Sequence, residues 1–264
     1  MRAIVLDAWG GELAVESVPD PAPGPGEVAV DVRACLVTRT VENAVQGGLS
    51  EDPSLTPRIP GHEFAGLVSE IGPGVEDVAA GDRVLAYFCL TCGACDACRR
   101  GERNRCTSFD GWLGVNREGA YAERAVVPAE NLLPLPETAS FAEGAVAADG
   151  LATPLHVAER AAIDDSDTVL VVGAAGRIGI HLCQVAAMRG ARVLALDTGA
   201  SRLERIETHT PDSVEAVEGA ASDGPLPDPA LAERLREVAV WSDGPSVAVD
   251  TVGDPEKLDA AWEA

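Results

Sequence analysis

Lysine is almost missing from this sequence: among 20 basic residues only Lys257 is one. Positive charge of any kind is scarce, with 43 acidic residues against those 20, a formal net charge of -23 and a sequence pI near 4.4. Phosphate backbones and anionic bilayers repel so acidic a chain, which argues against nucleic acid and membrane surfaces as partners. Long apolar runs are also missing, and none approaches the roughly 18 residues of a membrane span. Asp7, Glu12 and Glu16 interrupt the N-terminus where a secretory leader would be apolar. These absences predict a cytoplasmic protein.

What is present fits an ordinary globular chain of one or two domains: 264 residues, 46% hydrophobic, with 27 glycines. Acidity joined to a preference for arginine resembles the proteins of high-salt cytoplasms, where salt screens the self-repulsion. Seven cysteines are many for a reducing compartment, and five fall between Cys89 and Cys106. Such clustering predicts a metal site rather than disulfides. Cys35 and Cys183 lie in apolar surroundings and are expected to be small buried residues.

Along the first third, short alternating stretches (Ala3 to Leu6, Glu27 to Arg33, Glu63 to Ile71, Arg83 to Tyr87) are divided by glycine and proline turns, the pattern of an antiparallel β domain. A strand pair is expected within Gly119 to Val127, then a proline-punctuated loop from Asn131 to Pro136. Ala142 to Arg160 reads as helical and broken near Pro154. The domain boundary is placed there, dividing 1–150 from 151–264. Beyond it come a buried strand, Thr168 to Val172, a helix, Arg177 to Arg189, and a strand, Arg192 to Leu196, together a βαβ unit. A helix from Ser201 to Glu207, a strand from Ser213 to Val217, a loop from Gly219 to Pro229, a helix from Pro229 to Val240 and a strand from Ser246 to Asp250 complete the expected order.

Cys92, Cys95, Cys98 and Cys106 are spaced C-x2-C-x2-C-x7-C. Four thiolates on so tight a loop can close tetrahedrally on Zn(II), leaving no open position, so a structural zinc lobe is expected over about 89–106. The turn Gly173-Ala174-Ala175-Gly176-Arg177-Ile178-Gly179 leaves a strand and opens a helix, with Asp197 ending the next strand and Arg202 just beyond. That is the context of a dinucleotide fold. Gly173 would make the turn, Gly176 would admit the pyrophosphate and Gly179 would let helix pack on strand. Ala175, Arg177 and Ile178 would line the phosphates. Asp197 would bond the adenosine ribose and repel a 2′-phosphate, favouring NAD over NADP.

Gly61-His62-Glu63, the four-cysteine lobe and the glycine turn, in that order, resemble the zinc-dependent medium-chain alcohol dehydrogenases. The resemblance covers the whole chain. It implies a GroES-like catalytic domain, a Rossmann coenzyme domain with a doubly wound parallel sheet, and a catalytic zinc in the cleft between them. Zinc polarises the oxygen of a small alcohol or carbonyl substrate while a hydride moves to or from the nicotinamide.

Carried over residue by residue, the catalytic pattern is kept only in part. Thr38 stands where the family has a cysteine ligand, Thr40 keeps the hydroxyl of the proton relay, Val41 replaces an acidic residue and Asn43 replaces the relay histidine. His62, Glu63 and Asp149 match ligand positions and could hold zinc, with Thr38 at best a weak neutral ligand. The sequence stops at Ala264, where family members continue for about another quarter, through the strands that form their homodimer edge. Two alternatives therefore stand beside the alcohol dehydrogenase reading: an enoyl or quinone reductase without catalytic zinc, and a non-catalytic nucleotide-binding remnant with one structural zinc.

Overall fold

The computed structural model describes residues 1–219 and 244–253. The expected helix from Pro229 to Val240 and nearly all of the expected loop before it lie outside these residues. The chain divides into two compact units, Met1–Asp149 and Gly150–Ala264.

The first unit is built on antiparallel pairs. Strands β1 (Arg2–Leu6) and β2 (Leu13–Ser17) form a hairpin of their own. A five-stranded sheet then takes β3 (Glu27–Cys35), β4 (Phe64–Ile71), β5 (Arg83–Ala86), β8 (Arg124–Pro128) and β9 (Leu132–Pro134) in the order β8-β3-β4-β5-β9. Alternation along β3 and β4 sends Val28, Val30, Phe64 and Val68 into one core with Val84, Leu113 and Val127. Strands β6 (Cys89–Leu90) and β7 (Gly111–Trp112) pair at the two ends of the cysteine-rich loop. Three short helices belong to this unit: α1 (Arg39–Val45), α2 (Asp96–Arg99) and α3 (Phe141–Val146). A capping box starts α3, with Ser140 Oγ accepting from the Glu143 amide and Glu143 accepting from the Ser140 amide.

Three expectations are corrected here. Only one strand, β8, forms within the expected pair. The residues before it instead bond back to the strand-free segment upstream, Gly119 N to Ile59 O and Tyr121 N to Pro60 O. The proline-punctuated loop contains a strand, β9, because Pro134 lies at its end, where a missing amide costs little. The helix from Phe141 is interrupted by a π turn at Ala147–Leu151 and not by Pro154. Pro154 is the third residue of α4 (Ala152–Arg160), which follows directly on the π turn, where the i→i−4 ladder is already interrupted.

The second unit is a parallel α/β layer. Its described strands β10 (Thr168–Val172), β11 (Arg192–Asp197), β12 (Val214–Glu218) and β13 (Val247–Asp250) lie in the order β12-β11-β10-β13. Every residue of β10 is buried, as expected of a strand covered on both faces. Helix α5 (Arg177–Met188) links β10 to β11 and α6 (Ala200–His209) links β11 to β12. Leu182, Cys183, Val185 and Ala186 of α5 pack on Val169, Val171, Val193 and Ala195.

Candidate functional site

Cys92, Cys95, Cys98 and Cys106 bring their sulfurs within 4.8 Å of one another. Cys92 and Cys106 Sγ are 3.6 Å apart. The edge of a tetrahedron with metal–sulfur bonds of about 2.3 Å is about 3.8 Å, so the lobe is already close to zinc geometry. Backbone donors shape it further: Cys92 N points at Cys106 Sγ at 3.4 Å and Cys95 N at Cys92 Sγ at 3.3 Å. The amides of Cys98 and Thr107 draw the Cys95 thiol down to about 5. Gly93 and Gly101, both at positive φ, turn the chain between the ligands. Cys89, the fifth thiol, is outside this group and lies against Tyr87 and Trp112, with burial raising its pKa.

A second cluster joins His62, Glu63 and Asp149, whose ligand atoms also lie within 4.8 Å of one another. His62 and Glu63 are buried, at 5% and 0% exposure. His62 Nε2 lies 3.4 Å from Glu63 Oε1, and the edge of a tetrahedron with nitrogen and oxygen bonds of about 2.1 Å is about 3.4 Å. The donor set therefore fits a divalent ion. Local structure explains how these residues meet. Gly61, at φ +95°, turns the chain into His62, where a Cβ would press on the Tyr121 ring and the Cys35 sulfur. Glu63 O accepts from Leu36 N, and Asp149 sits in the π turn.

Neighbours that sequence reasoning missed hold this centre. The Phe88 ring meets the His62 imidazole edge-on at 5.0 Å between centroids. Asn131, 1% exposed, donates to Tyr87 O at 2.7 Å and Cys89 O at 2.8 Å, bracketing Phe88. Burial and the adjacent Cys89 push the Tyr87 hydroxyl up to about 12, with Asp149 adding to the shift. An asparagine beside Glu130 in the otherwise apolar stretch from Ala125 to Leu135 was the one available signal.

Thr38 is buried, and its Oγ1 has no hydrogen-bond partner. It occupies the N-cap of α1 without capping it. Thr40 is half-buried in the first turn of that helix, Val41 is buried and Asn43 is exposed. Cys35 is partly buried rather than enclosed by apolar groups, since the Glu63 carboxylate is among its neighbours and, after burial, helps push its thiol up to about 12. Cys183 is fully buried, as expected.

In the second unit Gly173 adopts φ +78°, and the chain turns from β10 into α5 with Gly176 as N-cap. A Cβ on Gly179 would land on the Gly173 carbonyl and 2.8 Å from Ala174 Cα. The first turn of α5, from Arg177 and Ile178, carries the positive end of the helix dipole. Asp197 lies 6% exposed at the end of β11. Its Oδ2 accepts from Ala175 N at 2.8 Å and Arg202 Nη2 at 3.0 Å, and its Oδ1 accepts from Thr198 N at 2.8 Å and Arg202 Nε at 2.5 Å. Burial raises the Asp197 carboxyl, but Arg202 and the two amides outweigh it and leave the pKa below the ordinary value. Its four lone-pair directions are all used, so a ribose diol can bond it only by displacing Arg202, whose side chain is 51% exposed.

A β domain carrying a four-cysteine lobe, joined to a parallel α/β unit with a glycine turn and a strand-end aspartate, defines a two-domain dehydrogenase of the GroES-like and Rossmann type. The family signature described as "Alcohol dehydrogenase GroES-like domain" matches residues 24–137. The chain is 31% identical to acryloyl-coenzyme A reductase of Metallosphaera sedula over 99% of its length and 74% of the relative's. It is 33% identical to an alcohol dehydrogenase of Geobacillus stearothermophilus over 77% of its length and 60% of the relative's. The solved structure of a cobalt- and zinc-bound thermostable alcohol dehydrogenase from Pyrobaculum aerophilum superposes with a TM-score of 0.81 at 32% identity, covering 99% of this chain and 72% of that one. The chain belongs to the zinc-type medium-chain alcohol dehydrogenase family of oxidoreductases.

Proposed function

We propose that the protein is an NAD-linked oxidoreductase of alcohol dehydrogenase type, moving a hydride between a small alcohol or polyol and the nicotinamide. The observation that carries this is the cluster of buried His62 and Glu63 with half-buried Asp149, in a chain that also has the glycine turn after β10 and Asp197 at the end of β11. A divalent metal bound there supplies a Lewis acid for the substrate oxygen. His62, Glu63 and Asp149 hold that ion, Thr40 passes the hydroxyl proton outward, and Cys92, Cys95, Cys98 and Cys106 keep a structural zinc. Gly173, Ala175, Gly176, Arg177, Ile178 and Gly179 receive the pyrophosphate, while Asp197 bonds the ribose and favours NAD over NADP, with Arg202 swinging off the carboxylate to admit the diol and contacting the cofactor from its new position. The reduced cysteine cluster supports a cytoplasmic setting, and the acidic, arginine-rich composition a salty one.

The test is NADH formation from a panel of primary, secondary and vicinal alcohols in high salt, with Zn(II) and, separately, Mn(II) present. Turnover abolished by His62→Ala supports the proposal, and no turnover with any alcohol refutes it. A second reading, reduction of an activated alkene by NAD(P)H without catalytic metal, is favoured by the buried Thr38 and by the acryloyl-coenzyme A reductase among the relatives. Alkene reduction that survives removal of every chelatable metal would establish it.

A further inference from the structure

A cavity of about 620 Å³ opens on the first unit beside the β1–β2 hairpin. Val5 and Ile59, both buried, line it together with Met1 and Val18, which pack against them. Pro19, Pro21, Pro57 and Val126 add further apolar wall. Small-molecule sites commonly take this form, with about 300 to 1,000 Å³ of mostly apolar lining and a few polar groups that fix orientation. Neither the His62, Glu63 and Asp149 cluster, nor the four lobe cysteines, nor the glycine turn lines it, so the cavity lies outside every site assigned above.

The charged groups of the lining divide by what they already bond. Each cation is committed: the Met1 ammonium donates to Val18 O at 2.8 Å and Asp20 Oδ1 at 2.6 Å. Arg58 donates to Glu118 at 3.1 Å, Arg117 to Glu27 at 2.9 Å and Arg124 to Asp31 at 3.2 Å. Those pairs occupy Glu27 and Glu118 as well, whose second oxygens accept from the amides of Gly24 at 3.0 Å and Ile59 at 2.7 Å. Two carboxylates remain. The side chains of Asp7 and Glu16 make no hydrogen bond or ion pair among the described residues. The cavity thus joins an apolar wall to uncompensated negative charge. An anion would be repelled there with no arginine free to receive it, whereas an ammonium would gain charge-assisted hydrogen bonds. We propose that this cavity binds a small organic cation, a primary ammonium on a short hydrocarbon body. Asp7 and Glu16 receive the ammonium, and Val5, Val18, Ile59 and Val126 cover the body.

The experiment titrates the full chain at fixed KCl with hexylammonium, hexanoate and methylammonium, following the methyl NMR signals of Val5, Val18, Ile59 and Val126. Hexylammonium should move these signals and bind at least tenfold more tightly than hexanoate, which sets a negative head on a similar chain. Methylammonium, which has the charge without the body, should be weaker by a similar factor. Raising KCl should narrow the margin over hexanoate, because Asp7 and Glu16 are exposed and their charges are screened. The double variant Asp7→Asn, Glu16→Gln changes only exposed side chains and should lose that margin. Equal binding of hexylammonium and hexanoate, an unchanged margin in the double variant, or no shift with any probe overturns the proposal. So does a margin carried by methyl groups elsewhere in the chain. Shifts that follow protein concentration without any probe would give the cavity to a second copy of the chain, and overturn it too. Alcohol turnover enters none of these readings, so this site and the proposed reaction stand or fall separately.

Discussion

Replacing Gly179 by alanine separates packing from propensity by the sign of its effect. Gly179 is the third residue of α5, and in an unhindered helix Gly→Ala stabilises by about 1 kcal/mol because the unfolded chain loses freedom. The added Cβ would, however, fall on the Gly173 carbonyl oxygen, 2.8 Å from Ala174 Cα and 3.0 Å from Gly173 C. Ordinary carbon contacts are about 3.5 to 4.0 Å, so the start of α5 must retreat by about 0.7 to 1 Å. All three neighbours are backbone, and none can rotate away. Overpacking of this kind costs about 1 to 3 kcal/mol, which outweighs the propensity gain in the middle of that range. The expected outcome is a chain less stable by about 1 kcal/mol in urea unfolding, with NAD binding weakened because the turn has moved.

Gly176→Ala is the control. Its Cβ would meet only the Gly173 carbonyl oxygen, at 3.0 Å, and its φ of -70° suits any residue. That single tight backbone contact is milder than the three at Gly179, so stability should fall by less than in Gly179→Ala, while NAD affinity falls at least tenfold as the pyrophosphate loses its approach. A Gly179→Ala protein that is more stable than the parent and binds NAD equally well would refute the close helix–strand packing argued here.

Cys98→Ser removes one of four sulfurs and should release zinc from the lobe, losing local order between Cys89 and Trp112 by hydrogen exchange while NAD affinity stays within twofold; a collapse of NAD affinity would contradict the independence of the two units. Asn131→Ala deletes two buried hydrogen bonds, at 2.7 and 2.8 Å, and should cost about 2 kcal/mol in urea unfolding, since two carbonyls are left without their donor. Asp197 has a depressed pKa, so its stabilising contribution is full above the unfolded carboxyl value of about 3.9 and disappears as pH falls through the lower folded value. The thermal midpoints of the parent and Asp197→Asn should therefore differ most above about pH 4.5 and converge toward pH 3, whereas a difference that grows in acid would reverse the sign of the argument. A net charge of -23 predicts a thermal midpoint that rises with KCl as the screening length shortens from about 10 Å at 0.1 M to about 3 Å at 1 M, and a flat or falling curve would count against adaptation to salt.

Among its described residues the parallel unit was legible almost residue by residue. Thr168 to Val172 is an unbroken β-branched and leucine run, which only a strand covered on both faces uses, and the glycine turn fixes where its helix starts. The β domain was legible in its long strands and not in its short elements. Helix α1 has seven residues and no side-chain cap, so neither period nor end signal announces it. The π turn at Ala147–Leu151 adds less than one residue to a helical period over a single turn, and no pattern of five residues can show that. Pro154 drew the expected break to itself because a proline is visible in sequence, whereas its place in the first turn of α4 is set by that invisible π turn.

The two metal clusters differ in the same way. The four cysteines lie within fifteen positions, so loop length alone limits how far apart their sulfurs can be, and the spacing carries the geometry. Asp149 is far along the chain from His62, and the two meet only because the sheet, α3 and the π turn deliver them to one place. Composition and spacing contain none of that, and only resemblance to known sequences singled out Asp149. Phe88 and Asn131, which touch or brace the histidine without matching any motif, had no such help. Thr38 lies between these cases. Its identity was readable as a departure from a pattern, yet its meaning depends on a buried oxygen that declines the helix amides within its reach, and only coordinates reveal a bond that is not made.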